Sequence, residues 1–149
     1  MSHTTKVNSV RVHNVQALAT AITELNASTG LNITMHENTT CRLWGSSTAK
    51  CDVVLKIPGQ RFDVGFQKAP DGNGLVPIFD AHGGELYRVI GQGSEICQTR
   101  EDHNLSNIAK VMQAYTQQAI YAEALAQSGN ILSQTVTEQG AIVMQVGQY

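Results

Sequence analysis

Charged side chains are scarce in the last third of the chain. Residues 104–149 contain three of them, Lys110, Glu123 and Glu138. Within this third, Asn104 to Ser128 has apolar residues at alternating spacings of three and four, which predicts one long helix. A helix exposed to water usually covers its outer face with Lys and Glu, whereas this one offers mostly Gln, Ser and Ala. We therefore expect the helix to be covered on more than one side.

Two rows of side chains run along this helix. The second row lies nearly opposite the first and holds Ala114, Gln118, Tyr121 and Leu125. Interface centres are enriched in Tyr and depleted in Lys and Glu, and most soluble assemblies are symmetric homo-oligomers. Either neighbouring loops or the terminal hairpin cover this row, or it binds a second copy of the chain or another protein. The first row, expected to face the core, is Leu105, Ile108, Met112, Tyr115, Ala119, Ala122 and Ala126.

The composition is that of one globular domain spanning residues 1–149. Hydrophobic residues make up 42% of the chain and charged residues 15%, below the roughly 25% of a typical soluble domain. The net charge of −2 provides no overall attraction for nucleic acid or an anionic membrane. No apolar run approaches the ~18 residues of a membrane span. These features predict a fairly neutral cytoplasmic protein, in the host cytoplasm if the chain is viral.

The cysteines are an odd number, and the N-terminus is polar without the apolar stretch of a secretory signal. Free thiols in a reducing cytosol are the simplest interpretation, and a disulfide is the alternative. Zinc sites usually contain closely spaced ligand pairs, which this chain lacks. We interpret the cysteines as core-filling residues and expect no metal or cofactor. A metal site would have to use Cys41, Cys51, Cys97 and His103, with His36 or His82.

Strand and helix signals alternate unevenly along the chain. Asn14 is a good N-cap for a helix with apolar residues from Val15 to Leu25, and Gly30 suits its C-terminal end. Pro58-Gly59 fits a type II turn between two strands. The pattern predicts an α+β fold: an antiparallel sheet of about five to seven short strands, two helices packed on it and a C-terminal β-hairpin. The predicted strands are Val7–Val12, Leu31–Met35, Val53–Ile57, Phe62–Phe66, Leu75–Phe79, Tyr87–Ile90, Ile131–Thr137 and Ala141–Val146.

The order of these elements resembles a known family. Met1-Ser2-His3 opens the chain ahead of the strand and the helix that Asn14 caps, and the long C-terminal helix leads into the closing segment Val136 to Ile142. Together they are similar to the hypothetical chloroplast open reading frame 35 family, domain of unknown function 1257, of cyanobacteria, plastids and bacteriophages. The resemblance spans nearly the whole chain and implies the fold and a phage or cyanobacterial origin. It implies no activity, and the chain departs from the family in its loop from Asn38 to Cys51 and in its neutral long helix.

Motifs for catalysis are incomplete. Gly93-Ser94-Glu95 lacks the flanking glycine of a nucleophile elbow. The segment from His82 to Glu85 is similar to the oxyanion loop of esterases, but no serine elbow accompanies it. Trp44 to Lys50 has the components of an anion nest without the spacing of a P-loop, and Gly91-Gln92-Gly93 lacks the third glycine of a dinucleotide site. The sequence favours a protein that is not an enzyme.

Basic residues cluster in the middle of the chain, where six of the ten lie from Arg42 to Arg88. If loops from this segment converge, they would bind a small anion such as a nucleotide without hydrolysing it. Exposed aromatic residues interleaved with Arg or Lys are missing, so nucleic acid is not an expected partner. The leading hypothesis is a non-catalytic interaction or oligomerising module, and the alternative is a nucleotide-binding or nucleotide-sequestering protein. The candidate ligand-binding residues are Arg42, Trp44, Ser46, Lys50, Arg88 and Arg100.

Overall fold

The computed structural model describes residues 4–92, 104–128, 131–136 and 142–146. It has the α+β architecture that the sequence predicts, with a five-stranded antiparallel sheet. The strands are β1 (Thr4–Lys6), β2 (Thr34–Arg42), β3 (Thr48–Lys56), β4 (Val64–Lys68), β5 (Leu75–Asp80), β6 (Ile131–Val136) and β7 (Ile142–Val146). The helices are α1 (Val15–Thr29), α2 (Glu85–Ile90) and α3 (Ala109–Ser128), with 3₁₀ turns at His82–Gly84 and Ser106–Ile108. The sheet order is β1-β5-β4-β3-β2, and β6 pairs separately with β7.

Local sequence signals set the ends of α1. The Asn14 side chain accepts a hydrogen bond from the N–H of Ala17 at 3.0 Å, which satisfies one of the free donors of the first turn. Gly30 ends the helix in the left-handed conformation, with φ 75°. The predicted N-cap and C-cap are therefore confirmed.

The inner face of the sheet is covered by α1 and α3. Leu18, Leu55, Phe66 and Phe79, which are 0% exposed, belong to one apolar cluster that joins these helices to the sheet. On β3 and β4, Leu55 lies opposite Val64, so side chains of adjacent strands point into the same cluster. This cluster is the main core.

The outer face is covered in a different way, by the end of the β2–β3 hairpin. Cys51 and Val53 are two residues apart on β3, yet they belong to different apolar clusters. The side chains of β3 change from one face of the sheet to the other at Asp52. This residue lies beside Asn38, a non-glycine residue with φ 51°. Trp44, just after β2, reaches Asp80 of β5, three positions away in the sheet order. The hairpin therefore folds back over the sheet.

Several predicted boundaries are wrong. Tyr87–Ile90 lies in α2 instead of a strand, since Leu86 and Ile90 are buried at the four-residue spacing of a helix. The prediction of two helices therefore missed a third. Asn104 and Leu105, at the predicted start of the long helix, are helical, and the 3₁₀ turn at Ser106–Ile108 joins them to α3, which begins at Ala109. Of the predicted strand Val7–Val12, the structure keeps a single bridge from Val12 to Leu75, while β1 lies before it.

The other strands are shifted or extended relative to the predictions. The strand predicted at Leu31–Met35 is β2, which begins at Thr34 and continues to Arg42. The turn at Pro58-Gly59 is present, with Gly59 at φ 78° and the Gln60 N–H bonded to the Ile57 carbonyl at 3.1 Å. β6 and β7 form the predicted antiparallel pair. Thr137 and Ala141, the predicted inner ends of that hairpin, lie outside the described residues.

Candidate functional site

The second row of α3 is only partly covered. Ala114 packs against the main core, while Gln118 and Tyr121 are half-buried. Leu125 is 40% exposed. Ile120, which sequence reasoning did not single out, is 53% exposed. Coverage of α3 on a second side is thus partial within the described residues.

The two halves of α3 differ in their burial. In the first half, Val111, Met112 and Tyr115 are buried in the core. In the second half, the predicted core position Ala126 is exposed, so the core row ends before it. Lys110 is the only basic residue between Ala109 and Ser128. The second half of α3 therefore presents apolar side chains with few charges.

Tyr115 ties the buried half of α3 to the start of α1. Its hydroxyl oxygen accepts hydrogen bonds from the N–H groups of His13 at 2.9 Å and Asn14 at 3.3 Å. The N-terminal end of α1 is therefore held in place by a buried side chain of α3. Since Tyr115 is 6% exposed, water competes little for this contact.

Arg42 lies in the hairpin segment that folds back, where it is paired with a buried carboxylate. Its Nη2 lies 2.9 Å from Oδ1 of Asp63, and its backbone N–H donates to Oδ2 at 2.8 Å. Lys56 Nζ approaches the same carboxylate at 3.4 Å. Burial raises the pKa of Asp63, but the hydrogen bonds and charge of Arg42, together with Lys56, lower this pKa on balance. The bond with Asp63 also raises the pKa of Arg42.

A second buried carboxylate, Asp80, holds the residue after β2. Its Oδ2 accepts a hydrogen bond from the N–H of Trp44, and its Oδ1 one from the N–H of His82, both at 3.0 Å. The rings of Trp44 and His82 lie 5.2 Å apart. Asp63 and Asp80 are both 0% exposed, and together they fix the folded-back hairpin. Sequence reasoning missed both, since nothing local marks an Asp that will bind a distant backbone.

The candidate anion-binding residues do not all converge on one site. Arg42 and Trp44 lie at the folded-back end of the hairpin, with Ser46 exposed in the turn beyond. Lys50 is exposed on β3, and Arg88 is exposed on α2. The remaining candidate, Arg100, lies outside the described residues.

Cys41 and Cys51 meet on the outer face, both buried. Hydrogen bonding between the two thiols raises the pKa of Cys41, and it lowers the pKa of Cys51. Gly65 makes room for them, because a Cβ there would lie 2.5 Å from Cys51 Sγ. The described residues contain no group of three or more His, Cys, Asp or Glu side chains arranged to hold a metal. Cys97 and His103, candidates for such a group, lie outside them.

An open pocket of about 360 Å³ lies between the start of α1, the bend of the β2–β3 hairpin and the loop before β5. We call it the Asp52 pocket. Its floor is apolar and its rim carries polar groups, an arrangement common in small-molecule sites. The floor includes Val12, Val53 and Leu75, and the rim includes Glu37, Asp52 and Lys68.

The backbone explains how two acidic residues come to line this pocket. In a regular strand, Glu37 and Asn38 would point to opposite faces, and Asp52 would share the face of Asn38. Asn38 instead has φ 51°, which interrupts the alternation. Glu37, Asn38 and Asp52 therefore all line the same pocket.

No protein-family model, curated protein or solved structure matches this chain. The resemblance to the chloroplast open reading frame 35 family therefore stays a prediction. Among the described residues, no helix combines the length and the apolar content that crossing a bilayer requires.

Proposed function

We propose that this chain is a non-catalytic module that associates with a second copy of itself through the second half of α3. The observation that supports this proposal is the exposure of Ile120 and Leu125, at 53% and 40% of their surfaces. Both lie on a 20-residue helix whose charged residues are Lys110 and Glu123. Burying large aliphatic side chains between two copies would contribute about 25 cal/mol per Å² of apolar surface, which offsets the entropy that the two copies lose on association.

The arrangement of α3 supports a symmetric contact. Its first half is anchored in the core through Val111, Met112 and Tyr115, which keeps the helix rigid. Glu123 is the one charged residue of the exposed second half, and its Oε1 accepts a hydrogen bond from Gln127 Nε2, so two copies would bring few like charges together. Gln117 and Gln127, which are exposed beside the apolar residues, would supply a polar rim.

The test is the assembly state of an Ile120→Glu variant. We expect the native protein to sediment as a dimer or larger at tens of micromolar, and the variant to sediment as a monomer with an unchanged circular dichroism spectrum. A carboxylate in an apolar interface costs several kcal/mol unless it is paired. Gln16→Glu, which adds the same charge at an exposed position of α1, is the matched control and should leave the assembly intact.

Two outcomes would remove the proposal. A monomeric native protein at these concentrations would show that the exposed face does not associate. Equal dissociation by Gln16→Glu and Ile120→Glu would show that added charge, and not the α3 face, controls assembly. We also propose that the chain belongs to the chloroplast open reading frame 35 family and comes from a phage or a cyanobacterium.

Binding of a small anionic ligand such as a nucleotide is the alternative proposal. Lys50 and Arg88 favour it, since both side chains are exposed and neither forms an ion pair among the described residues. Arg42 counts against it, because its guanidinium is already bound to Asp63. Thermal-shift measurement with nucleotides tests it, since a ligand that binds the folded state raises the unfolding midpoint. Equal midpoints with and without nucleotide would exclude this alternative.

A further inference from the structure

We propose that the Asp52 pocket binds a small zwitterion with an aliphatic body, of which an aliphatic amino acid is the simplest. In this arrangement the ligand ammonium lies at Glu37 and Asp52, and its carboxylate lies at Lys68. This site is separate from the exposed face of α3, so it does not depend on self-association.

The charges at the rim are available for a ligand. Among the residues that the structure describes, Glu37, Asp52 and Lys68 form no side-chain hydrogen bond or ion pair with one another or with a neighbour. Other acidic residues of this protein do have partners: Asp63 and Glu85 each bind an arginine. Two carboxylates and one ammonium around a single pocket match a ligand that carries both signs of charge.

The floor provides the apolar part of the site. Val12, Val53 and Leu75 are 1%, 2% and 9% exposed and belong to the main core. A volume of about 360 Å³ falls at the lower end of the ~300–1,000 Å³ of small-molecule pockets. An aliphatic side chain would contact this floor while its charged groups remain at the rim.

The wall of the pocket is held in place before any ligand arrives. The loop that includes Gly72 and Gly74 is fixed by Arg11, whose Nη1 donates to Asp71 Oδ1 at 2.6 Å and to the Asn73 carbonyl at 2.8 Å. The imidazole of His13 lies against Gly74, where a Cβ would approach it to 2.8 Å. A rigid wall reduces the entropy lost on binding, because the loop is already ordered.

The first experiment compares three probes by isothermal titration calorimetry: L-leucine, isopentylamine, which lacks the carboxylate, and isocaproate, which lacks the ammonium. We expect leucine to bind, and each of the other two to bind at least about tenfold more weakly. Absence of heat with leucine, valine and isoleucine at millimolar concentration would overturn the proposal. Equal affinity for leucine and either truncated probe would also overturn it, because one of the two charges would then be irrelevant.

The second experiment assigns the contacts. Asp52→Asn and Glu37→Gln each retain the size of the side chain but remove its charge, and each should weaken leucine binding about tenfold. Lys68→Met should weaken leucine binding while leaving isopentylamine binding unchanged. Glu24→Gln, at an exposed position of α1 outside the pocket, is the matched control.

The variants also separate this site from a folding defect and from assembly. Each variant should unfold at the native midpoint in the absence of ligand, since Glu37 and Lys68 are exposed, Asp52 is half-buried, and none of the three forms an ion pair within the described residues. Ile120→Glu should bind leucine with native affinity. If the pocket variants bind leucine as tightly as the Glu24→Gln control, the ligand binds elsewhere and the proposed site is wrong.

Discussion

The two faces of the central sheet are buried by different means. On the inner face, helices α1 and α3 cover large side chains such as Phe66 and Phe79. On the outer face, the β2–β3 hairpin folds back over Gly65 and Ile78, and the buried carboxylates Asp63 and Asp80 hold it. The inner face thus depends on apolar area, whereas the outer face depends on a few directional polar contacts. The difference shows that a sheet can be covered without a second layer of helices when its own hairpin is bent and fixed.

The adjacent residues Phe79 and Ile78 give the most direct test of this difference, because they point to opposite faces of β5. We expect Phe79→Ala to reduce the free energy of unfolding by about 3–5 kcal/mol. Ile78→Ala should cost less, about 2 kcal/mol, because its apolar cluster is small. Urea unfolding followed by circular dichroism measures both. Equal losses would mean that apolar burial contributes as much on the outer face as on the inner one.

Asp63→Ala tests the polar contacts that hold the hairpin. The variant leaves the Arg42 N–H without its acceptor and removes a buried ion pair, so we expect a loss of about 3 kcal/mol. Trp44, the single tryptophan, should shift its fluorescence emission to the red as the hairpin loosens. Asp71→Ala, which removes an exposed partner of Arg11, should leave this emission unchanged. A red shift in both variants would show that the Trp44 emission does not report loosening of the hairpin.

Gly65 tests how closely the hairpin approaches the sheet. A methyl group at this position would lie 2.5 Å from Cys51 Sγ, so Gly65→Ala should destabilise the protein by about 1–3 kcal/mol through overpacking. Removing the sulfur in the Gly65→Ala/Cys51→Ala double variant should recover part of this loss. Additive effects in the double-mutant cycle would show that the two positions do not compete for the same space.

The smallest effect concerns pH. The pKa of Asp63 is lowered in the folded protein, so its contribution to stability is present above the unfolded pKa of about 3.9 and is lost as the pH falls through the lower, folded value. The stability difference between the native protein and Asp63→Asn should therefore shrink below about pH 4. Chemical unfolding at several pH values measures it. A difference that stays constant with pH would assign the contribution to packing instead of charge.

Local signals predicted the parts of this fold that depend on neighbouring residues. The N-cap at Asn14, the C-cap at Gly30 and the turn at Pro58-Gly59 each require one or two residues with a defined conformational preference. The strand predicted at Tyr87–Ile90 failed because a short apolar run satisfies strand and helix patterns alike. The four-residue spacing of Leu86 and Ile90 identifies a helix only when both side chains are known to be buried.

The candidate sites depended on distant contacts and were therefore harder to predict. The sequence singled out Arg42 as a ligand-binding residue, but it could not show that Asp63 binds this side chain from another part of the chain. It also gave no signal that Glu37, Asp52 and Lys68 would line one pocket, because they come from three strands. The exposure of Ile120 was missed because this residue belongs to neither of the two rows that the spacing defines.

By itself, the sequence determined the fold class, the caps of α1 and the neutral character of the last helix, since these follow from local propensity and composition. The tertiary structure alone decided the fold-back of the hairpin, the pairing of the buried aspartates and the groups that meet at the Asp52 pocket. The physical reason is that a carboxylate or thiol has no local preference for a distant partner. Its role is fixed only when burial removes water and leaves another protein group as the available contact.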